Sequence, residues 1–183
     1  MLLSVLARFE PVSLEKTMKT AGLLKRADTK FLFHESMLPE ILNELPPDYF
    51  VLVLGNARIS RYETHYFDSD AFSLYLQHHN KKLNRHKVRY RRYPGSDLNY
   101  FEIKFKSNKS ITSKSRLKQD GIPEIISGEA KELLEKKTGI SAAALVPKLR
   151  VYYSRITLVN KNLRERLTLD RDQFVDALQQ EGI

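Results

Sequence analysis

The chain has 183 residues, enough for one domain that buries about two-thirds of its surface. Apolar residues make up 42% and charged residues 29%, which excludes a disordered chain, and the net charge of +9 points to an anionic partner. The absence of cysteine excludes disulfides, thiolate metal sites and cysteine nucleophiles.

Met1 to Ala7 is apolar but too short for a signal sequence, and no stretch approaches the roughly 18–20 apolar residues of a membrane helix. The sequence reads as soluble and cytoplasmic, with membrane association coming only through a partner protein. Ser13 then opens a predicted helix over residues 13–24, with Leu14, Met18 and Ala21 at helical spacing. The mixed stretch Lys25 to Phe33 puts Arg26, Asp28 and Lys30 on one alternating face. Ser36 caps a second helix through Leu38, Ile41, Leu42 and Leu45, stopped by Pro46 and Pro47. Tyr49 to Leu54 reads as a buried strand and Ile59 to Phe67 as another, joined by a Gly55-Asn56 turn. Asp68 caps a helix carrying Phe72, Tyr75, Leu76 and His79.

Two basic strands follow, His86 to Tyr93 and Phe101 to Lys106, split by the turn Pro94-Gly95-Ser96-Asp97. Lys104 to Lys118 reads as a basic, Ser/Lys-rich loop. Ser127 begins a helix through Lys137 that Gly139 ends, and a short Ala-rich helix ends at Pro147. Leu149 to Val159 and Leu163 to Leu169 form a hairpin pattern. Asp170 caps a last short helix with Phe174, Ala177 and Leu178. There is no internal repeat, linker or low-complexity run, so residues 1–183 are expected to form a single domain.

The basic strands carry the functional signal. Successive side chains of a strand point to opposite faces. Lys87, Arg89 and Arg91 therefore share one face. Glu102, Lys104 and Lys106 share one face of the next strand, with Phe101, Ile103 and Phe105 behind them. Tyr153, Arg155 and Thr157 alternate in the same way in the last hairpin, as do Arg164, Arg166, Thr168 and Asp170. Helices need the apolar faces, so the charged faces look elsewhere. If the strands curl into a barrel with helices outside, the cations line its interior. Burying them costs several kcal/mol per ion unless counter-charges such as Glu102, Asp170 or a bound anion are present.

Other chemistries leave no trace. No Ser/His/Asp arrangement, G-x-x-x-x-G-K-[ST] loop or G-x-G-x-x-G loop is present, so a phosphate site must be built from side chains. His34, His65, His78, His79 and His86 lack metal-ligand spacing. Glu102 beside Lys104 is either a cross-strand ion pair or a metal-facing carboxylate next to a phosphate ligand. The basic run with Tyr62, Tyr66, Tyr90, Tyr93, Tyr152 and Tyr153 also admits a nucleic-acid-binding module, which strict alternation disfavours; no DNA partner is expected.

Seven short motifs occur in order: Arg26-x-Asp28-x-Lys30-Phe31, Tyr62-Glu63-Thr64-x-Tyr66-Phe67-Asp68, Arg85-x-Lys87-Val88-Arg89-x-Arg91, Phe101-Glu102-x-Lys104, Lys114-x-Arg116, Tyr153-x-Arg155 and Glu165-Arg166-Leu167-Thr168-Leu169-Asp170. Together they resemble the polyphosphate polymerase domain of vacuolar transporter chaperone (VTC) proteins, in its bacterial form. That domain belongs to the CYTH, or triphosphate tunnel metalloenzyme, superfamily. The resemblance runs from about residue 8 to 172.

It implies an α+β fold, an antiparallel β-barrel whose interior binds a triphosphate with Mg²⁺ or Mn²⁺, with helices packed outside. The implied ligands are ATP, tripolyphosphate or polyphosphate. The implied activity is phosphoryl transfer, foremost polyphosphate synthesis from ATP. A tripolyphosphate hydrolase and a non-catalytic polyphosphate or nucleotide sensor are the alternatives. Carried over by motif, Lys30, Lys87, Arg89, Arg91, Lys104, Arg116, Arg155 and Arg166 would contact phosphates. Lys30, Arg89, Arg91, Arg155 and Arg166 would be catalytic. Glu102 and Asp28 are the implied metal ligands. The family pattern continues with a further strand bearing a metal-binding Glu and a C-terminal Ser-Lys-Tyr-like segment, which this sequence lacks. An incomplete barrel with an open, self-associating sheet edge is therefore expected.

Overall fold

A computed structural model describes residues 2–21, 28–96, 98–109 and 111–178. Two compact units are present: Met1–Ser60 with Ser154–Arg171, and Arg61–Tyr153 with Asp172–Ile183. The motif residue Arg26, the helix positions beyond Ala21 and the turn residue Asp97 lie outside the described residues.

The first unit holds α1 (Leu2–Leu6), β1 (Glu10–Ser13), α2 (Leu14–Ala21), a 3-10 turn (Glu35–Met37), α3 (Leu38–Glu44) and β2 (Tyr49–Val53). β1 runs parallel to β2, with Glu10 opposite Phe50. β2 pairs antiparallel with the late residues of β7 (Val146–Asn160), Val51 facing Leu158. Leu6, Phe9, Leu38, Leu42, Val51, Ile156 and Leu158 make its core. Arg58 ties down the end of α1 by donating to the carbonyls of Leu6 and Phe9, at 2.7 and 2.8 Å. The expected Ser13 cap is present, its hydroxyl accepting from the Lys16 amide at 3.3 Å. Ser36 does not cap α3. It sits in the 3-10 turn, where the His34 ring accepts its amide.

The second unit holds most of β3 (Ser60–Asp68), α4 (Ser73–His79), β4 (Arg85–Tyr93), β5 (Leu98–Lys106), β6 (Thr112–Gln119), α5 (Gly128–Thr138) and a 3-10 turn (Ala142–Ala144). Its strands run β7-β3-β4-β5-β6, and β8 (Arg166–Ala177) pairs with β7. Tyr90 faces Phe101, and Val88 faces Ile103. Ala130 and Leu134 of α5 pack against Phe67, Val88, Tyr90, Phe101 and Ile103. Gly139 stops α5 as expected, taking φ +70° and donating its amide to Glu135 O at 2.9 Å. The class is α+β with a mainly antiparallel sheet. In this unit helices cover the apolar sheet face, and β6 leaves one edge open among the described residues.

Three further expectations give way. Residues 112–119 are strand β6 rather than loop. Serines occupy most of the face that a buried strand would fill with apolar groups, which hid the alternation. The short Ala-rich helix is a single 3-10 turn, and Pro147 lies inside β7. The segment after Asp170 is strand β8, not a helix. Phe174, Ala177 and Leu178 have helical spacing, but the ladder to β7 overrides it. The Leu178 amide donates to Lys148 O at 3.0 Å, and the Phe174 ring lies 6.2 Å from that of Tyr152.

Candidate functional site

The face of β3–β6 opposite the helices is ordered by register. One row across the sheet is Lys87, Lys104 and Lys114. The next is Tyr66, Arg89, Glu102 and Arg116, and the one after is Thr64, Arg91, Tyr100 and Lys118. Like charges placed directly opposite one another destabilise a sheet. A row of lysines flanked by arginines is therefore a surface that gains from an anion.

Glu102 is the only carboxylate in these rows and is 1% exposed. Arg89 donates from Nε to Glu102 Oε2 at 2.8 Å, with Nη2 at 2.7 Å, and Lys114 pairs with Oε1. Arg89 Nη1 also donates to the Tyr66 hydroxyl at 3.2 Å. Arg91 is 8% exposed and donates from Nε to Thr64 Oγ1 at 3.1 Å. Its guanidinium lies 5.2 Å from the Tyr62 ring centre and 6.0 Å from that of Tyr153, and those two rings stack 4.8 Å apart. Arg116 lies 4.4 Å from the Tyr100 ring centre. The arginines are held in place by hydroxyls and rings, which lowers the ordering cost of gripping a ligand.

Electrostatics follow from these contacts. Burial pushes the Glu102 carboxyl up, but the charges and hydrogen bonds of Arg89 and Lys114 outweigh it and leave it below its ordinary value. Burial pushes Lys114 down; Glu102 pulls it back up, while Arg89 and Arg91 push it further down. The net result is a depressed ammonium, the state that an incoming anion relieves.

Lys87, Arg89, Arg91, Lys104, Arg116 and Glu102 thus share one face of the second unit. The other sequence candidates belong to the first unit. Asp28 and Lys30 are exposed in the irregular stretch 28–34. Arg155 grips the Asp170 carboxylate with two hydrogen bonds, Nε to Oδ1 at 2.5 Å and Nη2 to Oδ2 at 2.7 Å. Arg166 is exposed at the start of β8. Sequence reasoning missed Lys114 as a site residue because it assigned β6 to a loop. The signal was there in the alternation Lys114, Arg116, Lys118.

A divalent ion does not fit the residues expected to hold it. Glu102 is committed to two cations, and Asp28 is an exposed coil residue of the first unit. Among the described residues, no three His, Asp or Glu side chains gather as a metal site. Among the same residues, no helix is long and apolar enough to cross a membrane.

The face is a cationic grid on one side of an antiparallel sheet. The VTC domain family matches this chain over residues 25–177, and the chain belongs to that family. Among solved structures, the PH1819 protein from Pyrococcus horikoshii OT3 is similar over 78% of this chain and 73% of its own, at 15% identity and a TM-score of 0.44. No curated protein matches the sequence.

Proposed function

We propose that the cationic face binds the triphosphate of ATP or the end of a polyphosphate, and that the protein transfers a phosphoryl group between them. The observation that carries this reading is the lysine row Lys87-Lys104-Lys114 beside the row containing Arg89 and Arg116, with one carboxylate among them. Phosphoryl transfer asks for positioning and charge neutralisation more than for a nucleophilic side chain. The arginines supply fork-shaped donors to phosphate oxygens, and the lysines supply point charges. A terminal polyphosphate oxygen attacks the γ-phosphorus of ATP. The new P–O bond forms as the bond to the β,γ-bridging oxygen breaks, and ADP leaves with that electron pair. Lys30, Arg155 and Arg166 are proposed as further phosphate contacts on the strength of family motifs alone.

A second reading has its own support. Glu102, the carboxylate among the cations, is already engaged by Arg89 and Lys114, which favours a non-catalytic polyphosphate or nucleotide sensor over an enzyme that would use this carboxylate to hold Mg²⁺ or Mn²⁺. One pair of experiments separates the readings. Calorimetric titration with tripolyphosphate is expected to give saturable one-to-one binding, at least about tenfold weaker in Arg89→Ala. Non-stoichiometric binding unaffected by that substitution sinks both readings. Incubation with ATP and Mn²⁺ then yields polyphosphate in the enzymatic case and none in the sensor case.

A further inference from the structure

We propose that the end of the sheet where α4 leads into β4 and β5 leads into β6 docks on an anionic lipid bilayer, so that the chain reaches a membrane surface without a partner protein. The inference goes beyond the phosphate chemistry of the cationic face and does not rest on it.

Two loops build this end, both in the second unit: residues 80–84 before β4 and residues 107–111 before β6. The ladder puts Arg85 opposite Lys106 and Lys106 opposite Thr112, so the loops are neighbours. The Asn108 amide donates to Asn84 Oδ1 at 3.0 Å and links them directly. Each loop carries one large aliphatic side chain into solvent: Leu83 is 67% exposed and Ile111 64%. Lys81, Lys82 and Arg85 flank the first in sequence, and Lys106 and Lys109 flank the second. Neither 76–86 nor 104–112 contains an Asp or Glu to neutralise them.

The loops are fixed by their own backbone. Lys81 and Asn84 take φ +55° and +56°, left-handed conformations uncommon for side-chain-bearing residues. The Lys82 amide donates to Gln77 O at 2.9 Å, and Arg85 Nη1 donates to Lys82 O at 2.8 Å. Leu83 is thus presented to solvent from a backbone held on both sides. In the second loop the Ser107 amide donates to Ile111 O at 2.9 Å. Pre-ordered tips lose less entropy when they enter a new environment.

A lone exposed leucine is ordinary, and so is a lone basic loop. The combination selects the partner. Cations close to an anionic leaflet are attracted to its headgroups within a screening length. The two aliphatic tips find no apolar counterpart along a phosphate backbone, whereas the boundary between headgroups and acyl chains offers one. Charge and apolar tips on the same pair of linked loops therefore favour a bilayer over a nucleic acid.

The test is sedimentation of the full chain at low salt with vesicles of equal parts phosphatidylglycerol and phosphatidylcholine. Wild type is expected to pellet with them and to stay in the supernatant with phosphatidylcholine alone. Lys82→Gln with Lys109→Gln should weaken the binding by about tenfold or more. Leu83→Ser with Ile111→Ser should weaken it by about tenfold, and should leave tripolyphosphate affinity as in wild type. All four positions are exposed, so both double variants should keep the wild-type melting temperature. Wild-type protein that stays in the supernatant, or vesicle binding that survives either pair of substitutions, overturns the inference. An RNA oligonucleotide that strips the protein from the vesicles and itself loses affinity in the Leu83 and Ile111 pair overturns it too, and marks the loops as a nucleic-acid surface.

Discussion

The two faces of the second unit's sheet come from the same strands and differ by one residue of register. On one face Val88, Tyr90, Phe101 and Ile103 are at most 2% exposed beneath α5. On the other, Lys87, Arg89, Glu102 and Lys104 interleave with them and form a charged grid. The comparison teaches where stability and binding reside. The apolar face gains from burial that asks nothing of a ligand. The charged face carries like charges side by side and is satisfied only in part by Glu102. Substitutions on the first face should cost folding and leave the ligand's grip on folded molecules alone. Substitutions on the second should divide according to whether the side chain is committed to Glu102 or Thr64, or waits for an anion.

The largest expected effect is on the helix-covered face. Leu134 is fully buried in α5, and Leu134→Ala should lose about 3 kcal/mol of stability in urea unfolding. Tripolyphosphate affinity, measured under conditions where the variant is folded, should be unchanged. A large change in affinity would mean that the two faces are coupled and break the comparison.

Glu102→Ala should cost a similar amount, about 3 kcal/mol, because Arg89 is then left half-buried without its counter-charge. Its effect on binding should be opposite in kind. Removing the carboxylate frees Arg89 and Lys114, so tripolyphosphate should bind more tightly without added metal. Weaker binding that only Mn²⁺ restores would instead mark Glu102 as a metal ligand. The same residue gives a pH signature. Its folded carboxyl titrates below the unfolded value near 4.3, so its contribution is fully present above about pH 4.3 and is lost as pH falls through the folded value. Between about pH 5 and 3 the wild type should therefore lose more stability than Glu102→Gln. Parallel curves would show that Glu102 is not held as the ion pairs indicate.

The sequence revealed the charged face further than it revealed the fold. Strict alternation over His86 to Tyr93 and Phe101 to Lys106 put Lys87, Arg89, Arg91 and Lys104 on their face without knowledge of the partners. The same rule applied to Thr112 to Gln119 would have found β6, yet a face of Ser113, Ser115 and Leu117 offers too little hydrophobic contrast to be read as half-buried. β8 was illegible for a different reason. Its helical spacing is genuine, and only the ladder to β7 decides against it. The roles of Thr64 and Tyr66 were hidden because holding an arginine requires a cross-strand register that no single strand encodes.

A smaller effect is expected at Asp68, which joins β3 to α4. Its carboxylate accepts three backbone amides, and Asp68→Ala should cost about 1 kcal/mol by urea unfolding. Asp68 has no place in the cationic rows, so tripolyphosphate affinity should be unchanged. A fall in that affinity beside the stability loss would couple this loop to the cationic face.

The smallest effect on folding and the cleanest effect on binding meet at Lys104. It is exposed in the middle of the lysine row, and no acidic side chain pairs with it among the described residues. Arg89→Ala and Arg91→Ala change binding and structure together, since truncating either one also unsettles Glu102 or the stacked tyrosines; Lys104 separates the two. Lys104→Ala removes only a charge between two like charges, so stability should stay within about 0.5 kcal/mol, or rise slightly. Tripolyphosphate affinity should fall by about tenfold, because a charge-assisted contact to phosphate is lost. The loss should shrink at high salt, where the screening length falls to about 3 Å. An unchanged affinity at low salt would show that the lysine row is ordinary solvated surface, and the two faces would then differ in polarity but not in purpose.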